Sequence, residues 1–127
     1  MDVDFLSIDE ILLIHQDQVD RYGGDPSLRD VGALLSAVAV PQAGVQRAYL
    51  HEDLFAMAAA YLFHIVQNHP FADGNKRTGT VAALIFLSLN GVAFDIDNDE
   101  LASFVLDVAQ GLQDKTAVAA FLQDHAV

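Results

Sequence analysis

The chain contains no cysteine, which removes disulfides, thiol catalysis and thiolate metal sites from consideration. It is also poor in positive charge: six Lys and Arg stand against eighteen Asp and Glu, a formal charge of -12. A field of that sign repels nucleic acid and anionic membranes, so neither direct nucleic-acid binding nor a membrane partner is expected. No apolar run approaches the roughly 20 residues that a spanning helix needs. The opening Met1-Asp2-Val3-Asp4 is acidic where a secretory signal is basic. Together these absences predict a cytoplasmic protein.

What the chain does have is apolar surface to bury. Of its 127 residues 53% are hydrophobic and 19% charged, which suits one packed domain over residues 1–127 without repeat, linker or disordered tract. Ser7-Ile8-Asp9-Glu10 is a capping box, and Ile8, Ile11, Leu12, His15, Val19 and Tyr22 recur at helical spacing until Gly23-Gly24 supplies a left-handed stop. After the Asp25-Pro26-Ser27 turn, Asp30 can cap a second helix through Val40, because Pro41 cannot continue it. Gln42 to Leu50 has no clean period and reads as an irregular loop or a short hairpin. Glu52 and Asp53 sit where a helix start favours negative charge. Leu54 to Asn68 is apolar nearly all round, which places that helix in the middle of the fold.

A second apolar helix spans Asn75 to about Asn90 and stops at Asn90-Gly91. Val92 to Asp95 is short and extended. Asp97 or Asn98 caps a helix from about Asp99 to Gln110, and a last helix covers about Lys115 to His125. No strand-like alternation persists, so the expected class is all-α: a compact bundle of about six helices, with room for a short β-hairpin flap.

Between the two apolar helices lies His69-Pro70-Phe71-Ala72-Asp73-Gly74-Asn75-Lys76-Arg77-Thr78-Gly79. A cation in the first turn of a helix opposes the helix dipole at a cost of about 0.3–1 kcal/mol, yet this helix opens with Lys76-Arg77. A bound phosphate removes the conflict, since free N–H groups, dipole and side-chain cations would all face it. Gly74 lets a ligand approach the backbone. Asn75, Lys76 and Arg77 supply donors and charge, and Asp73 is a hard oxygen ligand suited to Mg2+. His69 can act as a general base near neutral pH. Base, metal ligand and positive cradle are the parts of phosphoryl transfer. Phe71 fits better as an anchor in the core. The competing reading of Asp73-Gly74-Asn75 is an ordinary turn with two surface cations behind it.

The motif resembles the signature of the Fic/Doc family, and its Asn-Lys-Arg-Thr variant is similar to the death-on-curing (Doc) toxin branch. Arg21-Tyr22-Gly23-Gly24, Leu28-Arg29-Asp30, Asp53-Leu54-Phe55, Ala59-Ala60-Tyr61, and Phe86-Leu87 with Asn90-Gly91 resemble Doc-type landmarks in the same order, so the likeness covers most of the chain. The resemblance implies a compact all-helical fold, His69 as the catalytic histidine, Asp73 as the Mg2+ ligand, and Gly74, Asn75, Lys76 and Arg77 as the cradle for the phosphates of ATP.

Typical AMP-transferring members of the family carry Gly where Lys76 stands and a second Arg where Thr80 stands. Thr80 lies three residues after Arg77 on the same helix face, where a cation would reach the same phosphates. Lys76 adds bulk and charge that Gly would not. Both departures point to the Doc branch, a kinase that phosphorylates a threonine of elongation factor Tu and stops translation. The expected reaction is therefore γ-phosphate transfer from Mg-ATP to a Thr or Ser hydroxyl of a target protein. AMP or other NMP transfer is the alternative, and a nucleotide- or antitoxin-binding module without turnover is a third.

Many Fic proteins silence themselves with a Ser/Thr-x-x-x-Glu-Gly/Asn helix. Here Glu10, Glu52 and Glu100 are preceded four residues earlier by Leu6, Ala48 and Ile96. A Phd-like antitoxin acting in trans is expected instead, docking on exposed apolar surface. The remaining polar clusters have simpler readings. Asp95 to Asp99 has Glu100 where a calcium loop needs Gly and Leu106 where it needs Glu. His51-Glu52-Asp53 reads as an acidic helix start before a metal site, and His64 as a satisfied core or pocket histidine. The Gln42–Leu50 loop is a candidate for the Fic flap that aligns a target segment by strand addition.

Overall fold

The computed structural model describes residues 2–45, 48–51 and 53–127. Among them run six α-helices: α1 (Ile8–Tyr22), α2 (Val31–Ala39), α3 (Leu54–Asn68), α4 (Asn75–Leu89), α5 (Asn98–Ala109) and α6 (Lys115–Asp124). Two short strands, β1 (Gly44–Val45) and β2 (Ala48–Tyr49), pair antiparallel between α2 and α3. The all-α class and the helix count expected from the sequence are both present. None of the described helices is long and apolar enough to cross a membrane.

The bundle is built around α3, which packs against α2, α4, α5 and α6. Every side chain from Met57 to Leu62 is buried, and a helix that is apolar all round has no face to give to water. Helix α4 comes close to it because residue 79 is glycine: a Cβ there would lie 3.1 Å from the Leu62 carbonyl oxygen and 3.2 Å from Val66 Cγ2. The two helices that flank the motif are thus pressed together, and the turn between them is held at both ends. Tyr61, in the middle of α3, fastens the N-terminal segment by accepting the Leu6 N–H at 2.8 Å and donating to the Leu6 carbonyl at 3.2 Å. Burial pushes its phenol up to about 12.

Local capping sets the boundaries. The Ser7–Glu10 box forms with both reciprocal bonds, and the carboxylates of Asp30, Asp53, Asp97 and Asp114 cap α2, α3, α5 and α6. Of the two candidates for α5, Asp97 takes the cap and Asn98 is the first helical residue. Helix α2 stops at Ala39, and Pro41 is accommodated in a 3-10 turn, Val40–Gln42. The Gln42–Leu50 stretch resolves as the hairpin, with Gly44 opposite Tyr49 and Val45 opposite Ala48. Gly44 is required there, since a Cβ would collide with the Ala48 carbonyl oxygen. Gln46, read as part of that stretch, and Glu52, read as part of the α3 start, lie outside the described residues.

Candidate active site

His69 is the C-cap of α3 and sits in the left-handed region at φ 52°, ψ 54°. Its N–H still donates to Ile65 O at 3.2 Å, closing the helix. The strained turn is braced from outside. Arg29 donates from Nε to the His69 carbonyl at 2.6 Å and from Nη2 to the Asn68 carbonyl at 3.0 Å. That places a fixed cation on two orphan carbonyls at the negative end of the α3 dipole. The segment carrying Arg29 runs antiparallel to the motif, with Leu28 bridged to Phe71. The Arg29 and Asp30 N–H groups donate to Pro70 O, and the Ala72 N–H donates to Ser27 O at 2.9 Å. Phe71 is buried to 1% exposure and is the core anchor expected of it.

Past Phe71 the chain turns back towards α4. The Asp73 carboxylate is exposed, with Oδ2 accepting the Asp25 N–H at 2.8 Å. Gly24 allows that approach, as a Cβ on it would sit 3.1 Å from Asp73 Cβ. Gly74 follows in the left-handed region at φ 82° and is the N-cap of α4. It has no side chain to cap the helix, so the first N–H groups of α4 are left for another acceptor. Asn75 is placed differently from a ligand-facing amide. Its Oδ1 accepts the Phe71 N–H at 3.0 Å and its Nδ2 donates to the Phe71 carbonyl at 2.9 Å, with the residue 4% exposed. The side chain holds the loop closed, and what Asn75 can offer an anion is its backbone N–H.

His69, Asp73, Gly74, Asn75 and Lys76 line one cavity of about 220 Å³, walled on its apolar side by Val66, Ala72 and Ala109. Arg77 does not line it. Its Nη2 donates to Gly23 O at 3.1 Å and its guanidinium lies 5.2 Å from the Tyr22 ring centroid. This directs the cation into an adjoining groove of about 370 Å³ between α1, α4 and α5. Lys76 borders both spaces. Thr80 turns its hydroxyl back onto its own helix, donating to Lys76 O at 2.7 Å.

A metal would suit Asp73 by chemistry. Oδ2 is engaged and Oδ1 has no described partner, and one carboxylate oxygen beside phosphate oxygens is a Mg2+ donor set. No group of three His, Asp or Glu among the described residues could hold an ion by itself, so the remaining ligands would come from a nucleotide and water. His51 and His64 stand apart from this site. Lys115 Nζ lies 3.1 Å from His51 Nε2 and 3.2 Å from His64 Nε2. Burial, then the charge of Lys115, holds both imidazoles below the ordinary value of 6.5, in the neutral form that can accept from an ammonium.

A motif turn braced against the α1–α2 segment, on two apolar helices of an all-α bundle, defines a class. The model of the Fic/DOC family matches residues 5–87, and the chain belongs to that family. Two relatives carry the likeness across most of the chain. Protein kinase doc of Escherichia phage P1 is 36% identical over 114 residues, covering 90% of this chain and 89% of its own. Toxin Doc of Mycolicibacterium smegmatis is 41% identical over 107 residues, covering 83% and 82%.

Three residues that shape the site were not picked out from the sequence as acting on it: His15, Asp25 and Arg29. His15 donates from Nε2 to the Asp73 carbonyl at 2.8 Å. A signal was present for two of them. His15 is a polar residue on the apolar face of α1, and Arg29 is one of only six cations in the chain. Asp25 acts through its backbone N–H, which no side-chain pattern announces.

Proposed function

We propose that the chain is a Doc-type toxin that transfers the γ-phosphate of Mg-ATP to a Thr or Ser hydroxyl of a protein. The observation that carries this reading is the convergence of His69, Asp73, Gly74 and Lys76 on one cavity at the side-chain-uncapped start of α4. The name of the phage P1 relative, a protein kinase, supports phosphate transfer. So does the chemistry at two positions: Lys76 brings bulk and charge to the cavity, and the Thr80 hydroxyl, already bonded to Lys76 O, supplies no second cation.

In this mechanism His69 takes the proton of the target hydroxyl as its oxygen attacks the γ-phosphorus. The bond from that phosphorus to the bridging oxygen breaks, the phosphoryl group passes to the target, and ADP leaves. Lys76 and the first N–H groups of α4 bind the phosphate oxygens and offset charge as it shifts towards ADP. Asp73 Oδ1 would hold Mg2+, which neutralises phosphate charge when bound. The left-handed turn at His69, braced by Arg29, keeps the base where the hydroxyl arrives.

The proposed target is elongation factor Tu, as the resemblance implies, and the action would then fall in the cytoplasm, at translation. The β1–β2 hairpin is the element suited to aligning the target segment. Control falls to a Phd-like antitoxin in trans. The groove between α1, α4 and α5, with Leu101 and Val105 at its apolar side and Arg77 at its rim, suits the amphipathic tail of such a partner.

Incubation with elongation factor Tu and ATP labelled at either the γ or the α position tests the reaction. Transfer of γ label supports the proposal, transfer of α label alone replaces it with AMP transfer, and Mg-ATP binding without labelling points to a module without turnover. His69→Ala should abolish transfer while leaving helical content and melting temperature near wild type, because the side chain is exposed.

A further inference from the structure

We infer that His15 is a positioning residue of the phosphate cradle. It orients the Asp73–Gly74 peptide so that the Gly74 N–H faces the nucleotide. The inference rests on the Mg-ATP reading above.

His15 is 3% exposed on α1, and its imidazole lies flat on the Phe71 ring, with centroids 3.7 Å apart and planes 7° from parallel. Its Nε2 is 2.8 Å from the Asp73 carbonyl oxygen. A carbonyl can only accept, so Nε2 carries the proton. The stack fixes the plane of the ring, and the ring fixes the direction of the bond.

The C=O and N–H of a trans peptide point in opposite directions, and the described chain has no cis bond. Drawing the Asp73 carbonyl to His15 therefore aims the Gly74 N–H away from α1. Gly74 borders the cavity shared by His69, Asp73 and Lys76, which His15 does not line, so the N–H turned away from His15 is the group the proposal assigns to the ligand there. Glycine populates either sign of φ with little penalty, so residue 74 by itself does little to keep this peptide from turning over. A reversed peptide would present a carbonyl dipole to the phosphate where the cradle needs a donor. His15 thus acts on the ligand through the backbone, without touching it.

Two substitutions separate the donor from the packing. His15→Phe keeps the aromatic stack on Phe71 and removes the donor; His15→Gln restores an N–H at similar reach. Calorimetric titration with Mg-ATP should give about tenfold weaker binding for His15→Phe, the loss of roughly one hydrogen bond. His15→Gln should stay within about threefold of wild type. The Gly74 amide resonance should move in the phenylalanine variant and return towards its wild-type position in the glutamine variant, and melting curves should show both folded. Wild-type affinity in folded His15→Phe overturns the inference. So does folded His15→Gln binding no better than the phenylalanine variant, or, if the latter does not fold, binding more than about threefold below wild type. A wild-type protein that takes up no Mg-ATP overturns the nucleotide reading itself, and the inference with it.

Discussion

Replacing Asn75 tests how the motif turn is held. Its amide forms a closed pair with the backbone of Phe71, one bond of 3.0 Å and one of 2.9 Å, in a buried setting. Asn75→Ala leaves a buried donor and a buried acceptor, each costing about 1–3 kcal/mol when unpaired. With water reaching one of the two, the expected loss is about 1–3 kcal/mol, or roughly 4–12 °C in melting midpoint for a domain of this size. Asn75→Asp is the sharper control. It keeps the shape and the acceptor but sets a carboxylate against the Phe71 carbonyl. Only the protonated acid can donate there, so folding raises the pKa of the introduced carboxyl. A raised pKa contributes stability that is fully present below the unfolded value and is lost as pH rises through the folded value. Asn75→Asp should therefore be less stable than wild type at neutral pH and regain part of the deficit towards pH of about 4. Asn75→Ala should show no such recovery. Urea unfolding followed by circular dichroism across pH reads both. An alanine variant within about 0.5 kcal/mol of wild type, or an aspartate variant whose deficit ignores pH, would refute the reasoning.

Arg29→Met keeps the stem of the side chain and removes the donors from the His69 and Asn68 carbonyls. If the chain carries out the proposed γ-phosphate transfer, its single-turnover rate should slow by about 10–100-fold with little change in Mg-ATP affinity; an unchanged rate would separate the left-handed turn from catalysis. Stability should fall on acidification, because the pKa values of His51 and His64 are depressed in the fold. Their contribution is present above the unfolded value near 6.5 and is lost as pH drops below it. Melting midpoints measured between pH 7.5 and 5 should decline, and His64→Gln should flatten that slope. His125 works in the opposite sense. Its bond to the Phe121 carbonyl and its contact with Glu100 raise its pKa, so its contribution is present at low pH and fades as pH rises, and His125→Gln should steepen the acid loss.

Much of this protein is determined by neighbours in sequence. Capping at Ser7, Asp30, Asp53 and Asp114 acts within three residues, glycine stops act within one turn, and an unbroken apolar helix must lie at the centre. The motif belongs with these, because His69, Asp73, Gly74 and Lys76 stand close along the chain and reach one cavity with only a helix end, a turn and a helix start between them.

Tertiary structure decided what depends on distant partners. The bonds from His15, Asp25 and Arg29 to the motif span 58, 48 and 40 positions, and no local rule says which residue of one segment will face which atom of another. Asn75 and Arg77 show the same division. Sequence placed both at the start of α4, but packing turned the Asn75 amide inward to Phe71 and drew Arg77 to Gly23 and Tyr22. A residue's position on a helix follows from the chain, whereas the group its side chain meets is settled only when the helices pack.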